Sequence, residues 1–132
     1  IANSFKKQLL DGDHDFTASS GDVFKIALYT SSATLNSATT SFTTGNEVAN
    51  SGQYTSGGGK LVNLATSITA GVARVDFSDR SFTNVTITAR GALIYNTSFS
   101  NAAVCVLDFG ADKTATSGVF TIQLRVSLSL HL

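Results

Sequence analysis

Proline, methionine and tryptophan are absent from this sequence, and there is one cysteine. Without proline, nothing breaks a strand from within. A lone cysteine excludes an internal disulfide. Cys105 lies in the apolar run AAVCVLDF, which reads as a buried, inert thiol rather than a nucleophile, because no neighbour in the sequence would lower its pKa. Charge is scarce too: charged residues are 14% of the chain and the formal net charge is zero. Lysines and arginines are scattered singly apart from Lys6-Lys7, so there is no basic stripe for nucleic acid. No stretch approaches the roughly 18 apolar residues that a membrane span needs. No secretory signal is visible, so the glycosylation sequons at Asn84 and Asn96 read as chance matches.

Hydroxyls fill the place of charge. Ser and Thr make up about a quarter of the 132 residues. Such a surface loses less on desolvation than a charged one, which suits a protein packed against others as well as it suits a partner-free β-protein. The length fits one domain, residues 1–132, with a core of its own.

The pattern along the chain is β after a helical start. Residues 1–11 read as a short helix with Asn3 or Ser4 as cap and Gly12 as stop. Phe5 and Leu9 share one face, with Leu10 beside them. Two turns of helix are marginal alone and must dock on something. Phe24, Ile26 and Leu28 alternate as a strand. Residues 31–59 form a long Ser/Thr/Gly-rich loop region in which Phe42 and Tyr54 are the candidate anchors. Lys60 follows three glycines, but Leu61 stands where a phosphate loop needs Ser or Thr, so the glycines read as a flexible turn. Short strand pieces follow at 61–64 and 67–69. Ala73, Val75 and Phe77 alternate, SDRS turns the chain, and residues 82–96 run on as a strand with a bulge at Gly91. AAVCVLDFG is a strand, ADKTATSG a turn. From Phe120 every second residue to Leu132 is apolar, one long half-buried strand. The fold class is all-β: a single antiparallel β-sandwich or barrel, jelly-roll-like, with a short N-terminal helix.

Reactive groups do not assemble into a catalytic set, so the chain is read as a non-enzyme with no metal and no cofactor. His14 sits between Asp13 and Asp15, where successive side chains diverge; a solvated turn is the expectation there rather than a metal site. The aspartates 76, 79, 108 and 112 fall at strand ends and read as turn-formers.

Four stretches carry a resemblance: ANSFKKQLLDGDHDF, FKIALYTSSATLNSATT, TNVTITARGALIYN and AVCVLDFGADKTATSG. Together they resemble a family of small virion structural proteins of tailed bacteriophages, over Ala2 to about Gln123. ARGALIYN and VLDFG in this order are specific text. The resemblance implies a capsid decoration (cement) protein or a small tail or fibre component, and it brings no catalytic residues. The chain departs from the family pattern after Thr121-Ile122-Gln123, where RVSLSLHL replaces a polar, small-residue tail.

On that footing the expected partners are the major capsid protein and copies of this chain, as a homo-oligomer on the virion's capsid surface, made in the bacterial host cytoplasm, with no nucleic acid and no membrane. The candidate interface residues are Phe5, Leu9 and Leu10 on the helix, Phe42 and Tyr54 in the loop region, and Val126, Leu128 and Leu130 on the last strand. That strand is expected to add to a neighbour's sheet, so that deleting residues 126–132 impairs loading without unfolding the domain. A tail or fibre component is the alternative. A carbohydrate-binding β-sandwich is the alternative of another class; it needs exposed aromatics, and without tryptophan the three tyrosines must supply them, Tyr54 first.

Overall fold

The structure, a computed structural model, describes residues 1–128. One helix, α1 (Asn3–Leu10), precedes seven strands: β1 (Phe24–Tyr29), β2 (Gly59–Lys60), β3 (Ser67–Thr69), β4 (Val72–Asp76), β5 (Arg80–Asn96), β6 (Ala102–Ile122) and β7 (Arg125–Leu128). They form two antiparallel sheets, ordered β2-β1-β5-β6 and β3-β4-β7. This is an all-β, sandwich-like fold with a short N-terminal helix.

β1 is buried on both faces, which is why FKIALY is apolar almost throughout. Phe24, Ile26 and Leu28 share one buried face, on which Phe77, just past β4, brings its ring within 6.0 Å of Phe24. Phe16 stacks flat on Phe24 at 4.4 Å and seals that layer at one end. The opposite face, with Ala27 and Tyr29, lies under residues 31–58.

β5 and β6 are far longer than a usual strand of about 5–6 residues, and bulges explain how they stay paired. The register slips between Phe82 and Val85, Val85 and Ile87, Ala89 and Gly91, and Ile94 and Tyr95. Each slip bends the ribbon, so its upper half lies beside β1 while its lower half leads into the second sheet. The expected bulge at Gly91 is there. Two expected features are corrected. ADKTATSG is no turn but part of β6; bulges flank and enter it, around Gly110 just before it (φ +77°) opposite Ala89–Gly91 and around Ser117 within it (φ +45°) opposite Val85–Ile87. The terminal run is not one strand: it breaks at Gln123-Leu124 and crosses to the other sheet, where β7 pairs with β4.

Other local readings change as well. Of residues 61–64, Asn63 alone bridges, to Phe77. The glycines before Lys60 are close-contact points: a Cβ at Gly58 (φ +80°) would lie 1.8 Å from the Ile26 carbonyl oxygen, an approach only glycine permits. The N-cap of the helix is Ala2 rather than Asn3 or Ser4, and no side chain caps it. Its first amides are met by tertiary carbonyls instead, Ala2 N–H on Val104 O (2.9 Å) and Asn3 N–H on Ser37 O (2.7 Å).

Candidate functional site

The expected interface residues divide into two groups. Phe5, Tyr54 and Val126 are buried in this chain's own core and so are corrected: none is offered to a partner. Val126 pairs with Val75 across β7 and β4, so cutting the chain before it would dismantle the second sheet. Leu9 and Phe42 are half-buried against the core, Phe42 by stacking on Tyr95 at 4.7 Å. Leu10 is 86% exposed and remains a surface residue. Leu128 pairs through its backbone with Ala73, and Leu130 lies outside the described residues.

The loop region 31–58 is pinned rather than slack, and tyrosines pin it. Tyr54 Oη donates to Glu47 Oε2 (2.6 Å) and accepts from Leu28 N–H (2.9 Å). Tyr29 Oη donates to Thr43 O at 2.6 Å, and Tyr95 Oη to Gly57 O. Glu47 further accepts from Ser56 Oγ and Gly57 N–H, both at 2.8 Å. Burial drives all three phenols upward, Tyr95 to about 12, so they stay protonated donors at any ordinary pH. With every tyrosine buried, none is available to stack on a sugar ring. Burial likewise pushes the Cys105 thiol up to about 11, away from the thiolate that a nucleophile requires.

The apolar surface that remains exposed lies elsewhere. β3 and β4 join through Ala70-Gly71, both at positive φ (+50° and +78°), a two-residue hairpin turn of the primed type. Its register sets Ile68 opposite Ala73, on the same face as Val75 and Phe77. Val75 and Phe77 are buried, Phe77 against Phe24 of the first sheet, whereas Ile68 is 73% exposed and Ala73 is exposed too. The inner face of the second sheet therefore overhangs its own core. Thr66, Ser67, Arg74 and Val75 complete a cavity of about 320 Å³ under the overhang. Val62, 59% exposed, lies in the irregular run that precedes β3. A second groove, of about 470 Å³, runs along β6 between Leu107, Phe109, Val119 and Phe120. The sequence marks 67–69 as a strand; only the hairpin register, read with the positive-φ pair at its tip, would have assigned Ile68 to a face that no other described residue covers.

One expectation about polar residues is overturned. His14 is not in a solvated turn but buried, ringed by Phe5 (4.8 Å), Phe99 (5.6 Å), Phe16 and Phe24 (both 6.4 Å). Asn96, fully buried at the end of β5, donates through Nδ2 to His14 Nδ1 (3.0 Å) and to Asp22 Oδ2 (2.8 Å). The other imidazole nitrogen, Nε2, faces Gln8 Oε1 at 2.9 Å. Sequence reading missed Gln8, Asp22 and Asn96, which lie 6 to 82 positions from their partners. Among the described residues, no three His, Cys, Asp or Glu side chains group as a metal site would require, and Asp108 lies 3.6 Å from Arg90 rather than beside another acid.

Compared with known proteins, the chain matches no family model, no curated protein and no solved structure.

Proposed function

We propose that this chain is a structural protein of a bacteriophage virion, a capsid decoration (cement) protein that bridges and stabilises neighbouring major-capsid subunits. The resemblance of ARGALIYN, VLDFG and the two N-terminal stretches supports the virion assignment. The observation that carries a docking role is the overhang: Ile68 and Ala73 sit on the inner face of a sheet, yet no part of the described chain covers them. The occupant is a major-capsid subunit. Burial of apolar surface yields about 25 cal/mol per Å². Most of that is lost to ordering in any single contact, but repetition over a lattice makes weak contacts add. A hydroxyl-rich surface with few charges is cheap to desolvate against such a partner.

The test is to locate and count the chain in purified particles. Copies on the order of hundreds, with density on the shell, support the reading; roughly a dozen, with density on the tail, moves it to a tail component; no copies end the virion assignment. Replacing Ile68 with Asp tests the surface. Because Ile68 is already exposed, the isolated protein should keep its stability within about 0.5 kcal/mol. Binding to undecorated shells should fall at least tenfold, since a carboxylate would have to be buried unpaired. Undiminished loading of Ile68→Asp removes the overhang from the interface.

A further inference from the structure

The His14 cluster joins the N-terminal segment to the end of β5, 82 positions further along the chain. α1 supplies Gln8 and Phe5, the following loop supplies His14 and Asp22, and the end of β5 supplies Asn96. Its hydrogen-bond logic is one-directional. Asn96 Oδ1 is taken by the Ser98 N–H (2.9 Å), which fixes the amide with Nδ2 turned toward His14. An N–H donor aimed at Nδ1 requires that nitrogen to be the acceptor, so the proton is on Nε2, where Gln8 Oε1 receives it. Both imidazole nitrogens are thereby satisfied in the neutral form. A second proton on Nδ1 would face the Asn96 NH₂ donor-to-donor. Rotating the amide to receive it would strand the Ser98 N–H and take the donor from Asp22.

We infer that His14 is an acid-sensitive latch: gaining a proton at Nδ1 breaks its bond to Asn96 and frees the N-terminal segment, α1 with the residues up to Phe16, from the first sheet. This stands apart from the decoration role and uses none of the surfaces invoked for it.

The surrounding charges do not reverse the balance. Asp22 reaches His14 through Asn96, and Asp13 adjoins it in the chain; both favour the imidazolium. Burial among the aromatic rings outweighs them and holds His14 below the usual histidine range. On α1, Lys7 is turned away to Asp11 at 2.7 Å and Lys6 is exposed. β1 and the 97–101 turn present Phe24 and Phe99, which carry no charge. The released segment titrates near the ordinary value of about 6.5, the latched one lower. The latch is therefore fully closed above about pH 6.5 and weakens as the pH falls from there to the depressed value, below which it weakens no further. Each unit of depression gives about a tenfold rise in opening.

The test follows amide hydrogen exchange of the full chain between pH 7.5 and 4.5, corrected for intrinsic rates, alongside NMR titration of His14. Protection of the α1 amides and of Ala2 should drop at least tenfold on acidification, while the Ile94 amide in the first sheet changes less. His14 should show the Nε2–H form at pH 7.5. Protection of α1 that does not change with pH, or the Nδ1–H form, overturns the inference. In His14→Gln the drop should vanish, and its persistence also overturns it. Asn96→Asp covers the case in which that variant does not fold. A carboxylate facing Nδ1 should raise the His14 titration above 6.5 and make α1 better protected as the pH falls through it. An acid-weakened α1 in Asn96→Asp, as in the parent, refutes the latch.

Discussion

At the scale of single residues, polar groups at buried positions do the specifying. Tyr54 is the clearest instance. Its ring packs edge-on against Phe82 at 5.1 Å, and its hydroxyl oxygen accepts the Leu28 amide N–H at 2.9 Å. Replacing Tyr54 with Phe keeps the ring and deletes the oxygen. Leu28 N–H then loses its acceptor inside the core, and Glu47 loses a donor while keeping Ser56 and Gly57. The variant should unfold at a lower urea midpoint with an unchanged slope, a loss of about 1–3 kcal/mol. A midpoint within error of the parent would mean that water replaces the hydroxyl there. Sequence reading flagged Tyr54 as an anchor of the loop region and, of the three tyrosines, as the first to be exposed, whereas it is fully buried. Nothing local to GQYTS says that a backbone amide 26 positions earlier waits for its oxygen.

Among the elements, α1 depends most on its surroundings. It has eight residues and no side-chain cap, too short to persist in water. What holds it is Phe5 in the core, the two amides given to Val104 and Ser37, and Gln8 in the His14 cluster. Phe5→Ala should destabilise the protein by about 3–5 kcal/mol, whereas Leu10→Ala, one turn on and on the solvent side, should stay within about 0.5 kcal/mol; chemical denaturation of the two variants separates them. The helix itself was legible from Phe5, Leu9 and Gly12. The strands were legible where one face is wet, as in β4 and the lower half of β5. Legibility failed in two instructive places. Turn chemistry in ADKTATSG is bulge chemistry, because a bulge and a turn both call for positive φ, and residues alone do not say whether the partner strand continues alongside. The alternation from Phe120 ran through the break at Gln123-Leu124 because both sheets face one core. Phe120, Ile122, Leu124 and Val126 are all buried, so crossing between sheets leaves the period of two intact. The His14 cluster was illegible for a related reason: its members meet only once β5 lies beside β1.

For the whole molecule, the order of pairing governs how the chain must fold. β1 finds β5 across about seventy residues, with Phe24 opposite Asn96 and Tyr29 opposite Gly91. β7 returns to β4 across the whole of the intervening β5–β6 ribbon. Closing such loops before any contact rewards them is slow, so refolding belongs in the range of milliseconds to seconds that non-local β topologies show. The missing proline sharpens this expectation. Slow phases of tens of seconds in small proteins come mostly from X–Pro bonds, and this chain has none. Its sole thiol, Cys105, has no disulfide partner within the chain to reshuffle with. Refolding from urea at low concentration should therefore be complete within seconds, and the fast amplitude should not depend on how long the chain was held unfolded. A double-jump experiment checks this directly. If the fast amplitude shrinks as the unfolding delay grows from seconds to minutes, the chain must be trapping itself by a route other than peptide-bond isomerisation at proline. The edge of β6 around Val119, which is 58% exposed and pairs with no further strand among the described residues, is then the first place to look for strand-edge association, and the slow phase would grow with protein concentration.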